Sequence, residues 1–207
     1  MSLDVENITV ERAGRLVIKG LSLKIDAGEA CILRGPNGVG KSTLLRALAG
    51  LLPISLGDVL WDGTSCLDGR RTDLADKIGY MGHMLGLKAS LTSMQWLSSS
   101  LWLDGRHTSE GYILEALEAV HLRFAADVPV RVLSSGQRQR LALCRLKLLH
   151  RRLWLLDEPS VGLDDAALHD LQRMIHHHLQ DGGLVLATSH VELGIAAKAY
   201  ELRRCDV

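Results

Sequence analysis

The amino-acid sequence predicts an α/β protein: a mostly parallel sheet covered by helices, an N-terminal antiparallel β subdomain, and a helical subdomain set into the middle of the chain. Three observations carry this expectation. Uninterrupted apolar runs at residues 30–33, 153–156 and 184–187 alternate with segments of helical periodicity, the pattern of strands buried on both faces between helices. The first of these runs ends at Gly35 and enters a glycine-rich loop followed by a helical segment. From about residue 85 to residue 132 the chain has helical spacing and no comparable strand.

Taken in order, Leu3 and Val5, then Leu21, Leu23 and Ile25, alternate with polar neighbours and predict half-buried strands. Ala30-Cys31-Ile32-Leu33 is the first fully buried strand. From Lys41 the residues Leu44, Leu45, Leu48 and Leu51 recur at helical spacing, and Gly50 with Pro53 closes that helix. Asp58-Val59-Leu60-Trp61 meets Asp62-Gly63, the signal of an edge hairpin. In the middle segment Leu114, Leu117, Val120 and Leu122 mark a helix, while Ser98-Ser99-Ser100 and Asp104-Gly105 are expected to break the helical run. Leu141, Cys144 and Leu148 then form a helix that leads into Leu153-Trp154-Leu155-Leu156. Leu168, Leu171 and Ile175 form the next, leading into Leu184-Val185-Leu186-Ala187. No repeat, low-complexity tract or linker divides the chain, so residues 1–207 are expected to form one domain with its helical subdomain at about 84–150.

Composition narrows the function classes. A hydrophobic content of 47% across 207 residues fills a sizeable core, and a formal net charge of zero is too little for a disordered chain. The 24 Lys and Arg balance 24 Asp and Glu, which argues against a nucleic-acid partner. No window reaches the roughly 18 uncharged apolar residues of a membrane span; Arg46 interrupts the longest apolar stretch. The start of the chain carries acids early, with no basic segment and apolar run of a signal peptide, so a cytoplasmic protein is expected. Cys31, Cys66, Cys144 and Cys205 lie far apart and are expected to pack as small hydrophobes.

The motif with the most chemistry is Gly35-Pro36-Asn37-Gly38-Val39-Gly40-Lys41-Ser42, a match to G-x-x-x-x-G-K-[ST] between a predicted strand and a predicted helix. Glycines let backbone amides turn inward around phosphate oxygens, and the helix N-terminus adds its dipole. Lys41 is expected to reach the β- and γ-phosphates and Ser42 to ligate Mg²⁺, with Thr43 closing the nucleotide-binding run. A second apolar strand ends in Asp157-Glu158. Asp157 is expected to hold Mg²⁺, commonly through water, and Glu158 to polarise the attacking water.

With these residues in place the chain resembles the ATP-binding-cassette (ABC) ATPases. Leu133-Ser134-Ser135-Gly136-Gln137 is similar to the family's LSGGQ signature, Pro159-Ser160-Val161-Gly162-Leu163-Asp164 to the loop after Walker B, and Thr188-Ser189-His190 to the switch histidine. The resemblance covers nearly the whole chain in the family's order. It implies a P-loop NTPase fold with a helical signature subdomain, and a head-to-tail homodimer with two sandwiched ATP molecules. Each ATP would lie between Lys41, Ser42, Asp157, Glu158 and His190 of one copy and Ser134 and Gly136 of the other.

Two positions depart from the family pattern. His83, in Ile78-Gly79-Tyr80-Met81-Gly82-His83, stands where a glutamine near the metal is usual; an imidazole there accepts from metal-bound water or changes charge near neutral pH. Val10-Glu11-Arg12-Ala13 takes the place of the adenine-stacking aromatic, and the planar guanidinium of Arg12 is the substitute for stacking. The compact length, His83 and Gly86-Leu87-Lys88-Ala89-Ser90-Leu91-Thr92 make the chain similar to the ATP-binding subunits of haem exporters in c-type cytochrome maturation. His176-His177-His178 does not add a haem or metal site, because successive helical residues point about 100° apart; a solvated face with His178 leaning inward is expected.

The function expected from all of this is ATP hydrolysis coupled to separate integral membrane subunits, which dock on the helical lobe. The location implied is the cytoplasmic face of the inner membrane. An ATPase for another small cargo is the alternative within the class. A soluble ABC ATPase acting on DNA or ribosomes fits poorly with the balanced charge, and a small-molecule kinase leaves Ser134, Gly136 and the Glu158-to-His190 series unexplained.

Overall fold

The structure, a computed structural model, describes residues 1–67 and 74–203, so Cys205 lies outside the described residues. Two sheets organise it. The first is antiparallel, in the order β2-β1-β4-β5, from β1 (Ser2–Arg12), β2 (Arg15–Asp26), β4 (Leu56–Trp61) and β5 (Thr64–Ser65). Leu3, Val5, Ile8 and Val10 of β1 and Leu21, Leu23 and Ile25 of β2 supply its buried face. Asp62 (φ 50°) and Gly63 (φ 75°) close the β4–β5 hairpin with two left-handed residues, as the right-handed strand twist favours.

The second sheet is parallel throughout, in the order β6-β7-β8-β3-β9. Its strands are β3 (Ala30–Arg34), β6 (Ile78–Met81), β7 (Leu153–Asp157), β8 (Leu184–Thr188) and β9 (Lys198–Glu201), the last without a counterpart among the sequence expectations. Every residue of β7 and β8 is buried, which explains their unbroken apolar sequences. Because the strands run parallel, Arg34, Met81, Asp157 and Thr188 all finish at one edge of the sheet. That edge receives Asp157 and Thr188 and lies beside the glycine-rich loop that follows β3.

Five helices surround the sheets among the described residues: α1 (Lys41–Leu48), α2 (Ser93–Leu103), α3 (Glu110–Glu118), α4 (Ser135–Leu149) and α5 (Asp165–Gln180). The helices between β6 and β7 build a hydrophobic core of their own from Trp96, Leu97, Leu101, Ile113, Leu117 and Leu122. Helix α4 joins this core to the sheet. Its Leu141, Cys144 and Leu148 face the helical core, and its Ala142, Leu143 and Leu146 pack with Trp154, Leu156, Leu171 and Ile175.

Three local expectations need correction. Helix α1 stops at Leu48 rather than Leu51: Gly50 (φ 74°) donates to Ala47 O at 3.0 Å and Leu51 N to Arg46 O at 2.8 Å, a left-handed C-terminal motif that leaves Leu51 61% exposed. Ser98-Ser99-Ser100 does not break α2. Thr92 and Gln95 form a reciprocal cap, Ser99 Oγ donates to Gln95 O at 2.7 Å, and buried Trp96, Leu97 and Leu101 hold the helix through the serines to Asp104-Gly105. Helix α3 ends at Glu118, so Val120 and Leu122 reach the same core from the turn beyond it.

Cys31, Cys66 and Cys144 are buried, and burial pushes the Cys31 thiol up to about 11 and the Cys144 thiol to about 12. In the histidine triplet His176 and His177 face outward, whereas His178 lies flat on Trp154 with ring centroids 4.0 Å apart. A Cβ on Gly183 would stand 2.3 Å from the His178 ring, so this packing requires glycine there. Burial holds His178 below the ordinary imidazole value of 6.5. The unfolded chain therefore takes up this proton more readily than the folded one. Stability is full above pH 6.5 and falls as the pH drops below it. Denaturant unfolding at pH 7.5 and 5.5 is expected to show a smaller acid loss in His178→Phe than in the parent; equal losses would exclude His178 as a source.

Candidate functional site

The strand-to-helix loop after β3 is shaped by three left-handed glycines. Gly35 (φ 133°) leaves no room for a Cβ, which would lie 2.6 Å from Leu202 O, and Gly40 (φ 115°) would bring one within 3.0 Å of Val17 Cγ1. Gly38 (φ 77°) completes the turn. Buried Val39 and Thr43 anchor the loop and the first turn of α1, while Pro36 and Asn37 ride on its outside. Gly40 is the N-cap of α1, so no side chain caps the helix, and no acid sits in its first turn. Its free amides and positive dipole end are therefore available to an anion. Lys41 Nζ donates to Gly35 O at 2.7 Å and to Pro36 O at 3.2 Å, so its ammonium lies over the loop.

Across the sheet edge stands Asp157, only 2% exposed. Its Oδ1 accepts from Ser42 Oγ at 2.9 Å and from Thr188 Oγ1 at 3.0 Å. Its Oδ2 is buried with no hydrogen-bond partner. A hydroxyl beside a carboxylate with a spare buried oxygen is a hard-oxygen donor set, and it fits Mg²⁺. Glu158 follows with a left-handed backbone (φ 54°), and its N–H donates to Thr188 Oγ1 at 2.9 Å. Glu158 Oε1 lies 3.3 Å from His190 Nε2, and Oε2 is buried without a partner. A cavity of about 540 Å³ lies beside this cluster, lined by Gly35, Lys41, Ser189 and His190.

The single chain thus brings Lys41, Ser42, Asp157, Glu158 and His190 to one edge. Ser134 and Gly136 are elsewhere. Ser134 is exposed and caps α4, with Ser134 Oγ accepting from Gln137 N at 3.2 Å and Gln137 Oε1 accepting from Ser134 N at 2.8 Å. Gly136 abuts the loop after Asp157-Glu158: a Cβ there would lie 3.1 Å from Gly162 O. Gln139 Nε2 donates to Pro159 O at 2.8 Å, and Arg140 pairs with Asp164 at 3.0 Å, so the start of α4 is tied to that loop. Arg12 is exposed at the β1–β2 hairpin and His83 is exposed just past β6; among the described residues no hydrogen bond joins either to the cluster. Sequence reasoning did not single out the Thr188 hydroxyl as part of the site. The available signal was a polar residue closing an otherwise apolar buried strand.

The sequence profile described as ABC transporter matches residues 18–161. The cytochrome c biogenesis ATP-binding export protein CcmA of Gluconobacter oxydans is 45% identical, over 97% of this chain and 87% of that protein. Its counterpart in Methylococcus capsulatus is 42% identical, over 97% of this chain and 96% of its own. Among solved structures, a Pyrococcus furiosus putative ABC transporter ATP-binding protein superposes with a TM-score of 0.84 at 24% identity, covering 98% of both chains. A dimeric post-hydrolysis ATP-binding cassette bound to ADP and phosphate superposes with a TM-score of 0.81 at 25% identity, covering 91% of this chain and 88% of that one.

Proposed function

The chain belongs to the ABC transporter family and, within it, to the cytochrome c biogenesis ATP-binding export proteins, and we propose that its Lys41–Asp157–Glu158 edge hydrolyses ATP to drive a haem exporter. The protein is the nucleotide-binding, ATP-hydrolysing subunit of a transporter. The observation that carries the site reading is the pair of buried, unpartnered carboxylate oxygens, Asp157 Oδ2 and Glu158 Oε2, at the mouth of a phosphate-binding loop. Leaving such atoms unpaired costs about 1–3 kcal/mol each or more, a cost that a cation and a water molecule remove.

In this reading the amides of residues 35–43 and the Lys41 ammonium bind the nucleotide phosphates. Ser42 and Asp157 hold Mg²⁺. The bound ion supplies charge neutralisation on the phosphate oxygens. Glu158 accepts a proton from the attacking water as the new P–O bond forms and the bond to the ADP oxygen breaks; the proton then leaves to solvent. His190 steadies the Glu158 carboxylate and contacts the γ-phosphate, so loss of that phosphate changes its surroundings. Arg12 is assigned to adenine stacking and His83 to the sensing of metal and γ-phosphate.

Ser134 and Gly136 act across a head-to-tail homodimer, on the nucleotide of the second copy. The exposure of Ser134 at the start of α4 supports this assignment. The whole chain works as one ATPase domain, with the helical subdomain at about residues 84–150 receiving separate integral membrane subunits. No helix among the described residues is long and apolar enough to cross a membrane, so attachment at the cytoplasmic face of the inner membrane runs through those subunits. No direct haem site and no nucleic-acid partner enter the reading.

The test has two parts. Purified protein given ATP and Mg²⁺ as sole substrates is expected to release phosphate with no added acceptor, which a small-molecule kinase does not do. The tagged chain, recovered from gently solubilised native membranes, is expected to bring down small membrane proteins and a haem-absorbing cytochrome maturation factor. Recovery of other permease subunits instead would overturn the cargo while leaving the ATPase mechanism standing.

A further inference from the structure

We infer that Thr188 is a positioning residue of the ATP site, its buried hydroxyl holding the Asp157 carboxylate so that Oδ2 stays free for the cation. The inference rests on the proposed reading of Ser42 and Asp157 as metal-holding residues. Thr188 is fully buried at the end of β8, directly paired in register with Asp157 of β7 and with Leu33 of β3. It therefore stands between the strand that launches the phosphate loop and the strand that ends in the acids.

The direction of its hydrogen bonds is dictated by its neighbours. The Glu158 N–H, 2.9 Å away, is only able to donate, so it occupies a lone pair of Thr188 Oγ1. The hydroxyl keeps a single proton, and the carboxylate oxygen 3.0 Å away is only able to accept. Both capacities of the hydroxyl are thereby used on the two acidic residues of the site. Asp157 Oδ1 takes two hydroxyl donors, from Ser42 and Thr188, while Oδ2 takes none. Of the two, Ser42 stands at the start of α1 and is assigned to the metal as well, whereas Thr188 is fully buried and held in the sheet between Asp157 and Leu33.

Without that hydroxyl the Asp157 side chain turns to pair its orphaned oxygen, because a buried unpaired carboxylate oxygen is costly. The oxygen meant for the cation is then spent elsewhere. Residues that orient metal ligands in this way change metal affinity by roughly 10-fold to 100-fold when removed. A hydroxyl that is merely satisfied in the core predicts no such change, since Thr188→Val preserves shape.

The experiment measures binding of a fluorescent ATP analogue to the full chain in EDTA and across a Mg²⁺ titration. Thr188→Val is expected to bind the metal-free nucleotide within about twofold of the parent and to need roughly tenfold more Mg²⁺ for half-maximal tightening. Thr188→Ser, which returns the hydroxyl, is expected to restore the parent's Mg²⁺ requirement to within about threefold. If Thr188→Val does not fold, Thr188→Ala serves as the hydroxyl-free variant for the same comparison. A hydroxyl-free variant with the parent's Mg²⁺ curve, or a folded Thr188→Ser that fails to restore it, overturns the inference. Asp157→Asn, run in parallel, is expected to lose Mg²⁺ tightening altogether. Should it keep that tightening, the metal-site reading itself fails, and the two failures are told apart.

Discussion

Glu158→Gln is expected to bind ATP as the parent does, to hydrolyse it about 100-fold or more slowly, and to accumulate as a dimer when ATP is present. The substitution keeps the size of the side chain and leaves the backbone amide free to donate to Thr188 Oγ1, so the left-handed turn at φ 54° has the same support. His190, whose Nε2 lies 3.3 Å from the carboxylate, keeps a neighbour of the same size. What disappears is the ability to receive a proton from water. The negative charge beside the γ-phosphate disappears with it, which favours the closed, ATP-filled dimer. Phosphate release and size-exclusion chromatography with ATP together check the prediction. Unchanged turnover would remove Glu158 from the mechanism.

Lys41→Ala acts earlier, on binding itself. The Lys41 ammonium donates to two carbonyl oxygens of its own loop, Gly35 O and Pro36 O, and so places a positive charge over the loop proposed to bind the phosphates. Charge-assisted hydrogen bonds contribute about 1.5–3 kcal/mol each, so exchanging lysine for alanine is expected to weaken ATP binding by roughly 100-fold or more. Equilibrium titration with the fluorescent analogue reads the loss directly. The three left-handed glycines and buried Val39 keep the loop in shape, so the melting temperature is expected to change little. Retained affinity would count against the phosphate-loop assignment. The two variants separate the site's tasks: one holds nucleotide and does not cleave it, the other does not hold it.

Much of the fold, and the local features of the candidate site, are legible in the sequence. Gly35, Gly38 and Gly40 announce a loop with positive φ, and Lys41-Ser42 opens a helix, because local sterics set both features within a few residues. The unbroken apolar runs ending in Asp157 and Thr188 read as parallel strands because burial on both faces leaves no position for a polar side chain. Asp62-Gly63 specifies its hairpin by the same nearest-neighbour logic. His178 was legible as the inward member of its triplet from helical geometry alone.

Where local preference and packing disagree, the sequence misleads. Ser98-Ser99-Ser100 has weak helix propensity, yet α2 continues through it because Trp96, Leu97 and Leu101 gain more by burial than the serines lose. Leu51 carries helical periodicity but falls beyond a glycine that turns the chain away.

By itself, then, the sequence determined the glycine-rich loop before α1, the acidic strand end, the capped start of α4 and the parallel strands that carry them, because each depends on interactions within one turn or one strand. Only the tertiary structure decided that Ser42 meets Asp157, 115 residues away, that Thr188 binds both acids, and that Gln139 of the signature helix reaches Pro159 beyond them. Strand register and the need of buried polar atoms for partners set those meetings, and neither is a property of any short stretch of sequence.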